Sequence, residues 1–418
     1  MNKRMKRMLL AGLACMTIGQ AGLPAASAAS ASVATTTIQL DGYPLTMPVE
    51  PLVISGTNMV PFRAIAVALQ VEVAWNAASQ TITAVKQVNG VDRTVVLKLN
   101  DKKATVNGTT VLLHVAPIAK NGNTLVPLAF FSSQFGAKVA WDGPTRTVTI
   151  QSPVDDLYTL GYYAISSYSE AAYVSRFDSV AFGWSRIDGD GKLTLSGETF
   201  RWPQAAGETT PESLVTDAGA QGTLPYFMVF GEDGDGELTK LLNDPMLSQA
   251  AIDEMIRIAQ ENRFGGIALD FEGLGWTGDF EQAQQSYTAF VSALAEQAKP
   301  LGLKLSLALH PLNGAYHGYD YKELAKVADE LVIMAYHYED ETRPEPMKRV
   351  DESIRLALKE APAEKLVLGI SFGSEDESSV NAKIGLAKRY NLKGIAIWRI
   401  GIMGQAAMAK MQQTIVMD

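Results

Sequence analysis

Gly265-Gly266-Ile267-Ala268-Leu269-Asp270-Phe271-Glu272 is apolar on both faces until its end, where two carboxylates appear at i and i+2. Side chains alternate across a strand, so Asp270 and Glu272 share one face. A strand apolar on both faces is covered on both, which favours a parallel sheet flanked by helices. Seven further apolar runs flank this one: Thr159–Ile165, Ser179–Trp184, Leu224–Phe230, Lys304–His310, Leu331–Tyr336, Leu366–Ser371 and Gly394–Arg399. Stretches of helical period lie between them at Leu247–Glu261, Phe280–Lys299, Tyr321–Ala328, Lys348–Lys359 and Val380–Tyr390. Eight such units in about 260 residues predict an α/β fold, a (β/α)8 TIM barrel over residues 155–418, with its chemistry at the carboxyl ends of the strands.

The unusual residues gather at those ends. Strand four closes on Asp270 and Glu272, strand six on Met334-Ala335-Tyr336-His337, and strand eight on Trp398-Arg399. A carboxylate in apolar surroundings resists ionisation, and a second carboxylate beside it raises one pKa further. The pair is therefore suited to keeping a proton near neutral pH. The other use for it would be capping the next helix, a task for which Asp279 and Glu281 compete.

Residues 38–151 repeat at an offset of 66. Pro51 matches Pro117, Gly56 matches Gly122, Val60-Pro61 matches Val126-Pro127, Trp75 matches Trp141, and Thr81-Ile82-Thr83 matches Thr147-Val148-Thr149. Each unit reads as short strands, an apolar helix (Phe62–Leu69 and Leu128–Phe135), then a hairpin with tryptophan on its first strand. Two copies are too few for a solenoid and predict one small α+β module, residues 36–152, in which the units pack together.

Composition sets the outer limits. The 418 residues are 47% hydrophobic and 19% charged, and 36 Lys and Arg against 45 Asp and Glu give a net charge of −9. An acidic chain has no field to hold nucleic acid. Lys3, Arg4, Lys6 and Arg7 precede an apolar run that closes on Ala26-Ser27-Ala28, which predicts a secretory signal peptide over residues 1–28. Cleavage would remove Cys15, the one cysteine, and leave a mature chain of −13 with no membrane span, secreted or held at the cell wall. The repeat module carries 9 basic against 6 acidic residues, so it is weakly basic ahead of an acidic barrel and suited to an anionic wall polymer as partner.

The strand-four segment resembles the Asp-x-x-Asp-x-Asp-x-Glu signature of family-18 glycoside hydrolases. Met334-Ala335-Tyr336 resembles the family's sixth-strand Met-x-Tyr-Asp, and Trp398 its eighth-strand tryptophan. Within the family the chain is most similar to the bacterial branch acting on cell-wall and spore peptidoglycan. The resemblance implies substrate-assisted retaining hydrolysis of β-1,4 bonds in polymers of N-acetylglucosamine, with the sugar's own acetamido oxygen as nucleophile and no cofactor. It makes Glu272 the general acid and base, Asp270 the group that orients the acetamido nitrogen, Tyr336 the donor to its carbonyl, and Trp398 the floor of the sugar site. Met334, His337, Tyr162, Trp184 and Tyr226 join Trp398 as sugar-contacting candidates. The repeat module resembles the domain named for the amino terminus of copper amine oxidases, a stalk of secreted Gram-positive proteins. That implies no copper, since the segment's one histidine, His114, is no ligand set.

Three positions depart from the family pattern: Gly265 and Ala268 replace the first two aspartates, and His337 follows Tyr336. They leave a second reading, a glycan-binding or spore-coat protein with little catalysis. Asp270 and Glu272 both remain, which favours the enzyme. His310, His317 and His337 lack the spacing of a zinc triad, and the loops 188–191 and 233–236 lack the sixth-position glycine of a calcium loop, so tight turns are expected there. Phe230, Trp276, Tyr316 and Tyr338 are further aromatics near strand ends.

Overall fold

The computed structural model describes residues 36–88, 90–276, 278–339 and 341–417. The expected signal peptide and Cys15 lie outside the described residues.

The repeats of the stalk carry the same elements in the same order. Hairpins Leu52–Ile54/Thr57–Pro61 and Ile118–Lys120/Asn123–Pro127 each lead into a helix, Phe62–Ala68 or Leu128–Gln134. Ser55-Gly56 and Asn121-Gly122, all with positive φ, form the two-residue turns of these hairpins, a backbone that glycine takes without penalty. The inner strands pair with each other, Met59 opposite Pro127, Val60 opposite Val126 and Pro61 opposite Leu125, so one four-stranded sheet spans both repeats. Each Trp lies on an edge strand, Glu72–Asn76 or Lys138–Asp142. Ile65, Ala66, Val126, Leu128 and Phe131 fill the core between them.

Eight parallel strands then close into a barrel: Tyr158–Tyr163, Ser179–Ile187, Leu224–Glu232, Gly266–Glu272, Lys304–Leu309, Glu330–Ile333, Leu366–Ser371 and Gly394–Trp398. Strand one pairs with strand eight (Tyr158 opposite Gly394) and with strand two (Leu160 opposite Ser179), which completes the ring. One set of side chains, including Leu160, Met228, Ala268, Val332 and Ala396, fills the barrel interior. The alternate set packs outward against the helices.

Several boundaries differ from the sequence reading. Strand six stops at Ile333 because Ala335 and Tyr336 donate their N–H groups two residues back, to Ile333 and Met334, both at 2.8 Å, and so leave the ladder. Helices Pro211–Ala220, Glu237–Asn243 and Ile400–Met411 have no counterpart in the sequence reading. The first is set by a local cap, Thr210 with Ser213. The last is mostly apolar and broken at Gly404 (φ 73°), so it shows no clear helical period.

The stalk joins the barrel at its closed end. Arg389, at the end of helix Val380–Arg389, donates to the carbonyls of Leu40, Tyr43 and Pro44 at 3.0 to 3.1 Å, with its guanidinium 5.3 Å from the Tyr43 ring centre. Gln70 donates to the Lys388 carbonyl, and the buried Lys388 ammonium donates to the carbonyls of Pro153 and Thr414. Thr35–Asp418 is accordingly one compact unit.

Candidate active site

Strand register places the two carboxylates. Asp270 lies between Phe230 on strand three and Ala308 on strand five, with its side chain inside the barrel and 4% exposed. Glu272 is one layer higher, opposite Glu232, at the mouth. The cap of helix Phe280–Ala298 is taken by Asp279, which accepts N–H bonds from Glu281 and Gln282, so the strand-four pair serves no cap. Gly273 follows with φ 85°, and a side chain there would press on Asp233 at 3.2 Å, so the strand turns away immediately after Glu272.

Asp270, Glu272, His310, Met334, Tyr336, His337 and Trp398 line one cavity of about 110 Å³. Burial, and then the charge of Glu272, holds the Asp270 carboxyl well above the usual carboxylate range. Its Oδ1 has no hydrogen-bond partner among the described residues. Burial, and then the charge of Glu232, raises Glu272 to about 7. Burial pushes the Tyr336 hydroxyl up, so it stays a donor. The site thus offers a proton at its mouth, an acceptor at its base and a hydroxyl donor beside both, the elements of general acid catalysis on a polar substrate.

The remaining candidates separate by depth. Tyr162 is buried behind Trp398, their rings edge to face at 5.5 Å, and supports the tryptophan from beneath. Tyr226 is inside the barrel but level with Gly266, beside Tyr158 and Glu330 at the closed end, two layers below Asp270. It does not reach the site. Trp184 faces outward from strand two, fully buried against Phe182 (4.6 Å) and Trp202 (5.3 Å), and cannot contact a ligand in the barrel mouth. Phe182 and Trp184 share the outer face of their strand, which leaves Ala181 and Gly183 to face inward.

Four residues that the sequence pattern does not point to complete the site. Phe200 comes from the irregular segment after strand two and stacks between Phe230 (4.2 Å, 12°) and Trp398 (6.3 Å, 28°). His310 has Nε2 3.8 Å from Glu272 Oε2, receives the Gly273 N–H at 3.4 Å and lies against the Tyr316 ring at 4.2 Å. Burial lowers its pKa to about 4, which keeps the imidazole neutral. Glu232 sets a like charge in register with Glu272. Glu345 accepts the His337 N–H at 2.9 Å and the Tyr338 N–H at 3.4 Å, holding His337 at φ 59° on the rim. In the sequence His310 is one histidine after strand five, and nothing in the pattern ties it to Glu272. Among the described residues no three His, Cys, Asp or Glu side chains converge as metal ligands. The Asp188 carboxylate is taken by the N–H groups of Asp190 and Lys192, which makes that loop a tight turn.

The sequence model of glycosyl hydrolases family 18 matches residues 159–375, just over half of the chain and the whole span from strand one past strand seven. The chain belongs to glycosyl hydrolase family 18. The copper amine oxidase N-terminal domain model matches residues 39–150, the repeat module. Among curated relatives, the cortical fragment-lytic enzyme of Bacillus subtilis is 24% identical over an alignment covering 39% of this chain and 52% of that protein. Probable chitinase 10 of Drosophila melanogaster is 28% identical, covering 36% of this chain and 8% of that one. The chain thus spans about half the length, or less, of the curated relatives it matches. Among solved structures, a chitinase from Chromobacterium violaceum shares the fold with a TM-score of 0.51 at 20% identity, over 62% of this chain and 98% of that one. The Bacillus cereus spore cortex-lytic enzyme SleL gives a TM-score of 0.51 at 17% identity, over 63% and 76%. Both show the same fold.

Proposed function

We propose that this family-18 barrel is a retaining glycosidase that cleaves β-1,4 bonds in N-acetylglucosamine-containing polymers, peptidoglycan or a chitin-like glycan. The observation that carries the reading is the Asp270–Glu272 pair on one face of strand four, its outer member protonated up to about pH 7. Glu272 donates its proton to the leaving oxygen and then, as carboxylate, activates water. The free Oδ1 of Asp270 accepts the acetamido N–H, while the Tyr336 hydroxyl donates to the acetamido carbonyl and holds its oxygen against the anomeric carbon. The ring rests on Trp398, whose flat face matches the C–H side of a pyranose. Relatives named for cortex lysis and for chitinase activity support this substrate class.

Export fits the same reading. Residues 1–28 have the order of a signal peptide. No helix among the described residues is long and apolar enough to cross a membrane. The division into signal (1–28), stalk (36–152) and barrel (155–418) gives an enzyme released to the wall and retained there by a weakly basic module.

The test compares the mature chain with Glu272→Gln on purified glycan strands and on chitooligosaccharides, reading product size and anomeric form. Loss of turnover in the variant and a retained β-anomer from the parent are expected. Equal turnover, or an inverted product, sinks the mechanism. Saturable binding with no product from the parent would instead establish the glycan-binding reading that Ala268 and Gly265 motivate.

A further inference from the structure

The stalk contains a groove of about 470 Å³ built by both repeats. Phe62, Arg63, Trp75 and Leu99 come from the first repeat and its extension, Asn123 and Thr124 from the second. Trp75 is on an edge strand with 38% of its surface exposed. The Arg63 guanidinium sits 5.8 Å from the centre of the Phe62 ring, and no carboxylate among the described residues pairs with it. No acidic side chain lines the groove. We infer that this groove binds one pyranose unit of an anionic cell-wall glycan.

Each wall of the groove matches one part of such a ligand. The indole offers a flat apolar face to the C–H side of a sugar ring. Asn123 and Thr124 can exchange hydrogen bonds with ring hydroxyls. Arg63 presents a fork for a carboxylate or a phosphate. The repeat supplies an internal comparison, because Trp75 has its counterpart in Trp141 whereas Phe62 and Arg63 become Leu128 and Ala129. The second repeat retains the indole, 50% exposed, with alanine at the position equivalent to Arg63. Selectivity for an anion therefore belongs to the first site.

This inference rests on the wall-facing reading of the stalk and does not depend on hydrolysis by the barrel. The test uses the full mature chain with Glu272→Gln, which prevents digestion of the matrix. Cosedimentation is measured with Gram-positive walls, with the same walls stripped of phosphate polymers by hydrofluoric acid, and with chitin. Trp75→Ala and Arg63→Ala are each expected to weaken wall binding at least fivefold, with Trp75→Phe restoring most of it and Trp141→Ala changing little. Binding to chitin stays the same in all four, and thermal melting shows that each is folded. If stripping removes the difference between parent and Arg63→Ala, the anion is phosphate; if the difference survives, it is a carboxylate. Parent-like wall binding by Trp75→Ala and Arg63→Ala, or an equal loss in Trp141→Ala or on chitin, overturns the assignment. Failure of the barrel reading would show separately, as absence of products from the parent.

Discussion

Nε2 of His310 stands 3.8 Å from Oε2 of Glu272, and the imidazole is neutral because burial has lowered its pKa to about 4. A neutral ring there shields the carboxyl from water without lending it a positive charge. Burial is the main cause of the raised Glu272 pKa, so opening that side lowers it. The acid form is the active one, and it is lost as pH rises through about 7. His310→Ala should move the alkaline limb of the kcat profile to lower pH. It should also reduce kcat/KM about tenfold at pH 7, a small part of the 10²–10⁴ a general acid supplies. A pH–rate series on a soluble oligosaccharide checks this, and an unmoved alkaline limb would refute it.

The same raised pKa carries a stability cost. Glu272 ionises near 4.5 in the unfolded chain and near 7 in the fold, so the unfolded state releases its proton first as pH rises. Folding is therefore penalised progressively between about pH 4.5 and 7, and fully above. At 1.36 kcal/mol per pH unit the shift is worth about 3 kcal/mol, reduced to about 1–2 by solvent screening of a side chain 35% exposed. Glu272→Gln should be more stable than the parent by that amount at pH 8 and equal to it at pH 4, as read by urea denaturation at the two pH values.

Glu345 positions the rim without touching the cavity. Its own N–H donates to Glu375 Oε1 at 2.9 Å, and Lys383 reaches both Glu375 (3.0 Å) and the Glu345 carbonyl (2.8 Å). Removing the carboxylate frees the backbone at His337 and Tyr338. Glu345→Ala should raise KM about tenfold with little change in the pH profile, since a misplaced rim disturbs binding geometry before proton transfer. Glu345→Gln, which retains an acceptor oxygen, should recover part of the loss. Unchanged KM in the alanine variant would contradict the role.

Arg389 ties the stalk to the barrel with three carbonyl acceptors. Hydrogen bonds from a charged donor are each worth about 1.5–3 kcal/mol, and their loss leaves carbonyls without partners. Arg389→Ala should cost about 3 kcal/mol and split one calorimetric transition into two. Limited proteolysis should then cut near residues 152–157. A single transition with unchanged protease resistance would show that the docking rests on other contacts.

The strand-four stretch was legible because its carboxylates break an otherwise apolar run, and the 66-residue repeat because its anchors align without a gap. The two faces of a barrel strand were not legible, since both are apolar. The sequence reading of Trp184 as sugar-facing fails because it shares the outer face of its strand with Phe182 and packs against that ring. Tyr226 belongs to the amino-terminal part of its strand, four residues before Phe230, so it lies level with Gly266 and below the mouth. Phe200 belongs to a segment without periodicity, and only the folded chain brings it against Trp398.

The pairing of Thr57–Pro61 with Asn123–Pro127 has the form of a homodimer interface, each repeat offering the same edge to the other about a pseudo-two-fold through Val60 and Val126. The stalk is thus a dimer written into one polypeptide. Two separate copies of one sequence would carry Arg63 on both sides or on neither. Joining them in a single chain lets one half carry Arg63 where the other carries Ala129, so that a symmetric scaffold presents a directional groove.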